Sequence, residues 1–193
     1  MVWLIAGLGN PGERYANSRH NVGRMVVDQM ARSAGERFRK TRFHPAEVAE
    51  LRIGDERVVL VRSPRFMNES GPSYASIAKK HEVSPEHVVA VHDELDIPAG
   101  TIRMKFGGGN NGHNGLRSME GALHTPDFLR VRLGIGRPPG RQDPADFVLQ
   151  PIGKKDAADV ALLVDDAVDA VRLLVEDGLG PAQDRYNRSG PGA

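Results

Sequence analysis

Short apolar runs alternate along this chain with longer segments in which apolar residues recur at helical spacing. The first run, Val2–Leu8, ends in a glycine turn and is typical of a buried strand. Val22–Ser33 and Asp156–Asp177 each carry one apolar stripe, which predicts amphipathic helices. The alternation predicts an α/β fold, in which a single domain has a mixed, twisted sheet flanked by helices on both faces.

The same two periodicities predict the remaining elements. Further strands are predicted at 46–53, 57–61, 88–91, 101–106 and 129–135, and further helices near 69–80 and 114–123. The strand at 88–91 is expected to end directly before His92. Asn10, Asp93 and the loop 107–115 are then expected to meet where loops leave the sheet.

The composition excludes several kinds of site. The chain has no cysteine, which rules out disulfides, thiolate nucleophiles and cysteine-ligated zinc. No apolar run approaches the roughly 20 residues that a membrane helix needs, and the N-terminus lacks the basic start of a signal peptide. A cytoplasmic protein with no membrane partner is therefore expected. The domain is expected to span 1–188, with 189–193 as a disordered tail.

The net charge of +1 hides an uneven distribution. Residues 1–142 carry 21 Lys and Arg against 15 Asp and Glu, whereas residues 143–184 carry 3 against 10. The basic part permits a nucleic-acid surface, although charged runs are also common on ordinary solvated surfaces. Charge alone does not decide between the two.

The segment Gly7–Gly12 matches the G-x-G-x-x-G fingerprint of dinucleotide-binding proteins. That site needs a helix directly after the glycine turn, but helical periodicity begins only near Val22. Asp28 stands at about the distance of the ribose-binding acid, yet it falls inside the predicted helix. A nicotinamide- or flavin-dependent oxidoreductase is an alternative that the absorbance of bound cofactor would test.

Metal and serine-nucleophile sites find no support in the spacing of the residues. The seven histidines show no H-E-x-x-H or similar pattern, and no G-x-S-x-G nucleophile elbow occurs. The sequence therefore predicts a site that uses neither a metal nor a cofactor.

Five segments rich in glycine, asparagine, histidine and aspartate lie at the predicted turns and strand ends. They are GLGNPGERYANSRHNVG (Gly7–Gly23), RFMNESG (Arg65–Gly71), HDELDIPAG (His92–Gly100), KFGGGNNGHNGLRS (Lys105–Ser118) and RVRLGIGRPPG (Arg130–Gly140). In order, spacing and total length they resemble the signatures of the bacterial peptidyl-tRNA hydrolases, over nearly the whole chain. The resemblance implies hydrolysis of the ester between peptide and tRNA, which recycles both in translation and ribosome rescue.

The resemblance also implies roles for individual residues. His20 matches the catalytic histidine, a side chain that titrates near neutral pH and can deprotonate water. Asp93 matches the carboxylate that orients this imidazole and stabilises its charged form. Asn114 matches the asparagine that positions water or polarises the carbonyl.

The substrate is expected to be held by uncharged side chains. By resemblance, the substrate-binding residues are Asn10, Tyr15, Met67, Asn68 and His113. Asn10 and Asn68 are expected to hold the ester-linked residue and the tRNA end. For Met67, plain core packing is an equal alternative to lining the peptide channel, and for His113 a structural role in its loop is an equal alternative.

Lys105 and Arg132 match a basic pair that clamps a tRNA phosphate and so places the acceptor arm and its 3′ end. Aromatic residues make up only 5% of the chain, so recognition through the backbone is expected rather than base stacking. Ordinary surface charge is the expected role of the neighbouring arginines, and a wider tRNA-binding patch is the alternative; they are Arg103, Arg117, Arg130 and Arg137.

Two further expectations follow. Asn111 stands where the family has glycine, and asparagine tolerates left-handed backbone, so the loop is expected to keep its shape. Nothing in the pattern demands a dimer, so a monomer is expected.

A non-catalytic RNA-binding protein on the same fold is the remaining alternative, and the presence of both His20 and Asp93 argues against it.

Overall fold

The computed structural model describes residues 1–188, so the predicted tail at 189–193 lies outside the described residues. The strands are β1 (Val2–Gly7), β2 (Arg39–Lys40), β3 (Glu47–Ile53), β4 (Glu56–Arg62), β5 (Val88–Glu94), β6 (Ile102–Phe106) and β7 (Leu129–Gly134). The helices are α1 (Glu13–Ala16), α2 (Val22–Ser33), α3 (Gly71–Lys80), α4 (Asn114–Leu123), α5 (Pro144–Leu149), α6 (Lys154–Asp177) and α7 (Leu179–Tyr186). None of these helices has the length and apolar character needed to cross a membrane.

The strands form a mixed sheet in the order β2-β3-β4-β1-β5-β7-β6. The central strands β4, β1, β5 and β7 run parallel to one another, whereas β3, β2 and β6 pair antiparallel at the two edges. The predicted mixed sheet is confirmed. Because β1 and β5 are adjacent and parallel, with Gly7 opposite Val91, the loop after β1 lies beside the end of β5.

Helices cover both faces of the sheet. Because consecutive strand residues point to opposite sides, neighbouring residues of one strand pack into different cores. Ile5 joins the core formed with α2, α6 and α7, which includes Val171 and Ala182. Leu4 joins the opposite core, formed with α3 and α4, which includes Ile77. Fully burying such a side chain contributes about 1.5–3 kcal/mol relative to leaving it exposed.

Strand β5 is longer than the sequence indicates. The prediction that it ends before His92 is wrong, because His92 and Asp93 continue the ladder opposite Arg132 and Leu133 of β7. The ring of His92 is buried, and its Nδ1 donates to the backbone oxygen of Asp93 at 2.7 Å. Burial lowers the pKa of His92 to about 3 and keeps this ring neutral. Asp93 therefore projects from a rigid strand and not from a loop.

Four short elements are not indicated by periodicity. Helices α1 and α5 have 4 and 6 residues and strand β2 has 2, too few for a repeat to appear. Helix α7 contains Gly180 and Pro181, residue types that usually mark a break. Helix α3 begins at Gly71, two residues later than predicted, after a 3-10 turn at Met67–Glu69.

Gly23 lets the start of α2 lie directly against β5, which brings the preceding turn close to Asp93. A Cβ atom at Gly23 would lie 2.0 Å from the backbone oxygen of Val91. We therefore expect Gly23→Ala to lower the free energy of unfolding by about 1–3 kcal/mol, measured by chemical denaturation. The matched control is Gly121→Ala in α4, where no atom lies within 4 Å of the added Cβ and the free energy of unfolding should rise by about 0.5–1 kcal/mol. Equal effects at the two glycines would contradict this account of the packing.

Candidate active site

A cleft of 880 Å³ lies at the carboxyl ends of β1 and β5. Eight of the ten side chains predicted for the site line it: Asn10, Tyr15, His20, Met67, Asn68, Asp93, His113 and Asn114. The other two, Lys105 and Arg132, line a separate cavity. Arg137 also lines the cleft, so the fold brings together residues from all five sequence segments.

Asp93 is the buried centre of this group. Its Oδ2 accepts from Nδ1 of His20 at 2.9 Å, and its Oδ1 accepts from Nε2 of His113 at 2.8 Å. Burial on its own would raise the pKa of Asp93, but the charge of His20 and the hydrogen bonds from both imidazoles lower that pKa far below its usual range. Asp93 is therefore a carboxylate at every pH at which the fold is expected to work.

His113 has its tautomer set by the helix that it caps. Its Nδ1 accepts from the backbone N–H groups of Gly115 and Leu116 at 3.1 and 3.3 Å, at the start of α4. The lone pair therefore lies on Nδ1 and the proton on Nε2, which donates to Asp93. His113 both caps α4 and fixes the carboxylate, which favours the structural interpretation of this residue.

His20 lies in a 3-10 turn, Arg19–Asn21, directly before α2. Its Nδ1–H donates to Asp93, so its Nε2 carries the free lone pair, and the side chain is 13% exposed at the cleft. Burial alone would lower the pKa of His20, but the charge of Asp93 and the hydrogen bond to it raise this pKa above the usual value of histidine. The ring can accept a proton at Nε2 and then be stabilised as an imidazolium.

Asn10 and Asn21 lock the turn of His20 to the loop after β1. The backbone N–H of Asn10 donates to Oδ1 of Asn21, and Nδ2 of Asn21 donates to the backbone oxygen of Asn10, both at 2.8 Å. Oδ1 of Asn10 accepts from the backbone N–H of Met67 at 2.7 Å. Asn21 was not predicted as a site residue, although it is one of the asparagines in the motif around His20.

Met67 both packs in the core and lines the cleft, the two alternatives that the sequence leaves open. It lies in the apolar core with Leu116, and it also lines the cleft. A Cβ atom at Gly115 would lie 2.5 Å from its sulfur, so the start of α4 needs glycine beside this side chain.

His20, Asp93 and His113 are grouped closely enough to hold a metal ion, with their ligand atoms within 4.8 Å of one another. A metal would need a lone pair on Nε2 of His113, but this nitrogen carries the proton as long as Nδ1 caps α4. The hydrogen bonds therefore suit proton transfer better than metal binding. A metal-free site remains a prediction.

A second, basic cavity of 190 Å³ lies on the neighbouring strands β6 and β7. Lys105 and Arg132 line it together with Arg103, which faces Arg132 directly across the two strands. Burial, followed by the charge of Arg132, lowers the pKa of Lys105. Within residues 1–188, no hydrogen-bond partner reaches the buried Nε atoms of Arg103 and Arg132. Three cations and two carboxylates, Glu94 and Asp96, line this small cavity, and the excess of positive charge favours an anionic group as its occupant.

Arg130 is not surface charge, and that expectation is wrong. Its side chain is fully buried and donates to the backbone oxygens of Gly108, Gly109 and Pro126. It also pairs with Glu120 at 3.2 Å. The guanidinium therefore holds the glycine loop that leads into α4, a role that sequence spacing does not reveal.

Asn111 adopts left-handed backbone with φ of 50°, as its residue type permits. Its Nδ2 donates to Oε1 of Glu94 at 2.8 Å and to Oδ2 of Asp96 at 2.6 Å. Asp96 in turn accepts from Arg137 at 2.7 Å, at the exposed rim of the cleft. Asparagine thus supplies contacts at this position that glycine has no side chain to make.

Comparisons with known proteins agree on one family. A family model described as peptidyl-tRNA hydrolase matches residues 4–192. Peptidyl-tRNA hydrolases of Arthrobacter sp. (strain FB24) and Frankia alni are 52% and 51% identical to this chain. Each match covers 96% of this chain, and the two matches cover 96% of the Arthrobacter protein and 93% of the Frankia protein. The crystal structure of a peptidyl-tRNA hydrolase in complex with n-propanol superposes with a TM-score of 0.90 and 35% identity, covering 98% of this chain and 96% of the other.

Proposed function

Because the chain belongs to the peptidyl-tRNA hydrolase family, whose members hydrolyse the ester bond of peptidyl-tRNA, we propose that His20 is the general base of this reaction and that Asp93 orients it. The observation that supports this most strongly is the hydrogen-bond pattern at Asp93. Two imidazole N–H groups donate to one buried carboxylate, which leaves Nε2 of His20 as the free acceptor in the cleft. This arrangement also argues against a non-catalytic RNA-binding protein.

In the proposed mechanism, Nε2 of His20 takes a proton from water as the water oxygen attacks the ester carbonyl carbon. Asp93 stabilises the imidazolium that forms. The tetrahedral intermediate collapses as the bond between the carbonyl carbon and the ribose oxygen breaks. His20 returns its proton to that ribose oxygen, so the products are a free peptide and a free tRNA.

Asn114 is the proposed donor to the carbonyl oxygen as negative charge develops on it. It is the first residue of α4 and lines the cleft, where an amide donor and the positive end of the helix dipole act in the same direction. Asn10, Tyr15, Met67 and Asn68 form the proposed contact surface for the ester-linked residue and the 3′ end. His113 is assigned instead to holding Asp93 and α4.

Lys105 and Arg132 are the proposed clamp for a phosphate of the acceptor arm. The double replacement Lys105→Ala/Arg132→Ala is expected to raise KM for full-length peptidyl-tRNA by about tenfold or more and to reduce the slope of log KM against log salt by about 1–2. Steady-state kinetics at several salt concentrations measures both quantities.

The matched control for the clamp is Arg39→Ala/Lys40→Ala, which removes the same two charges from exposed β2 at the opposite edge of the sheet. KM for this variant should stay within about twofold of the parent. Hydrolysis of a short N-blocked aminoacyl-nucleotide should be unchanged in both variants. An equal loss with the short substrate would overturn the clamp.

Removal of metal ions is expected to leave the reaction intact. Release of labelled peptide from an N-blocked aminoacyl-tRNA should proceed at the same rate, within about twofold, before and after treatment with EDTA, because no step uses a metal. A rate that falls on chelation and returns with added Zn²⁺ would show that His20, Asp93 and His113 hold an ion.

A monomer that acts in the cytoplasm, on peptidyl-tRNA left over from translation and ribosome rescue, remains a prediction. Sedimentation velocity of the purified chain measures its oligomeric state directly. A dimer at micromolar concentration would overturn the prediction of a monomer but leave the chemistry unchanged.

A further inference from the structure

Arg19 lies next to His20 in the 3-10 turn, but its side chain leaves the turn on the side away from the catalytic cleft. The residue is only 8% exposed, although it carries a charge. Its Nη2 donates to Oδ2 of Asp156, in the first turn of α6, at 2.9 Å. Its guanidinium carbon lies 4.4 Å from the ring centre of Phe147 in α5. The guanidinium is thus held by two partners that do not line the cleft.

Helix α5 has two faces with different surroundings. Pro144, Ala145 and Val148 line the catalytic cleft. Phe147 faces away from it and lines a 600 Å³ cavity together with Arg19 and Asp156. Arg19 therefore supports the same short helix that forms one wall of the cleft.

Backbone contacts join the same two segments. The backbone N–H of Ile152 donates to the oxygen of Asn17 at 2.8 Å, and Ser18 forms an isolated β-bridge with Pro151. The turn of His20 is thus fixed on one side by the Asn10–Asn21 pair and on the other by the segment that follows α5. Arg19 supplies the buried side-chain contact on this second side.

We propose that Arg19 is a positioning residue for the reaction: held between Asp156 and Phe147, it fixes both the turn that presents His20 and the wall formed by α5. This inference rests on the proposed role of His20 as general base. A guanidinium is a planar fork that stacks on an aromatic ring and bonds a carboxylate at the same time. Catalysis needs such support, because a displacement of about 1 Å at the reacting group costs up to about 10²-fold in rate.

The arrangement allows the role to be separated from folding. The carboxylate of Asp156 is 47% exposed, so water can solvate it when Arg19 is replaced. Methionine keeps an unbranched apolar stem beside Phe147 but removes the charge and the fork. Arg19→Met is therefore expected to fold, which circular dichroism and thermal unfolding will verify.

Arg19→Met is expected to lower kcat for peptidyl-tRNA by about 10- to 100-fold at a temperature well below its Tm. The acid limb of its pH–rate profile is expected to move to lower pH, because a loosened His20–Asp93 contact raises the pKa of His20 less. Arg19→Lys should recover part of kcat, because lysine keeps a positive charge beside Asp156. It lacks the planar guanidinium that stacks on Phe147. Asp159→Asn, one turn further along α6 on the same cavity, is the matched control and should behave like the parent.

The partners of Arg19 provide a second test. Asp156→Asn alone should lower kcat less than Arg19→Met does, because the guanidinium keeps its stacking on Phe147. When the two changes are combined, kcat should match that of Arg19→Met alone, because both remove the same contact. Effects on kcat that multiply would overturn the coupling.

A purely structural Arg19 would lower Tm and leave both kcat and the pH profile of the folded enzyme unchanged, and this result would overturn the inference. The outcome is distinguishable from failure of the proposed function. If His20→Ala abolishes hydrolysis while Arg19→Met does not affect it, only the positioning role is wrong. If His20→Ala remains active, the general base itself is wrong.

Discussion

Hydrolysis of peptidyl-tRNA by the His20→Ala variant is expected to fall by about three orders of magnitude in kcat at neutral pH. Nε2 of His20 carries the free lone pair in the cleft. The hydrogen-bonded carboxylate of Asp93 stabilises the ring once it is protonated. Alanine leaves water without a base and leaves the ribose oxygen without its proton donor. Single-turnover release of labelled peptide measures the loss.

Binding and folding should survive this change. His113 still donates to Asp93 when His20 is replaced, so the variant should stay folded, and its Kd for tRNA should stay within about twofold of the parent. His44→Ala, in the loop between β2 and β3, is the control for loss of a histidine away from the cleft and should keep full activity. A kcat for His20→Ala within about tenfold of the parent would exclude His20 as general base.

Asp93→Asn is expected to lower kcat/KM by about 10²- to 10⁴-fold, because asparagine removes the negative charge and offers only one oxygen to two imidazole donors. Its amide group would also point a donor at the N–H of His20 or of His113. The contacts that orient the base and stabilise its charged form are lost together.

The pH dependence of Asp93→Asn follows from the sign of the pKa shift. Asp93 raises the pKa of His20, so its replacement should lower that pKa and move the acid limb of the rate profile to lower pH, with a reduced plateau. The matched control is Asp28→Asn. Asp28 lies on α2, outside the cleft, and its carboxylate pairs with Arg62 of β4. An acid limb at the same pH in Asp93→Asn as in the parent would contradict the pairing of His20 with Asp93.

The pattern of the sequence predicts the central strands because both of their faces are buried, and the long helices because each of them buries one face. Strand β1 and helices α2 and α6 follow directly from the spacing of apolar residues. The same logic fails at the end of β5, where polar residue types lie in a buried strand. His92 is accommodated there because Nδ1 donates to a backbone oxygen, and Asp93 because its two oxygens accept from imidazole N–H groups.

The members of the site were predicted by resemblance, but their contacts were not. His20 and Asp93 stand 73 residues apart in the chain, so no local pattern reveals their hydrogen bond. The cap that fixes the tautomer of His113 and the buried carbonyl contacts of Arg130 likewise depend on side-chain directions in the folded chain. The contacts of Arg19 are equally invisible in the sequence, because its partners lie more than 120 residues further along the chain.

Comparison of the kinetic and the titrated pKa of His20 tests the proposed mechanism most directly. The pH dependence of kcat/KM gives the pKa of the essential base in the free enzyme, and NMR titration of the His20 ring gives its pKa independently. A general base at His20 predicts that kcat/KM rises with pH to a plateau and that the two values coincide, above the usual pKa of histidine. A kcat/KM that is independent of pH across the titration of His20, or that falls as His20 loses its proton, would contradict it.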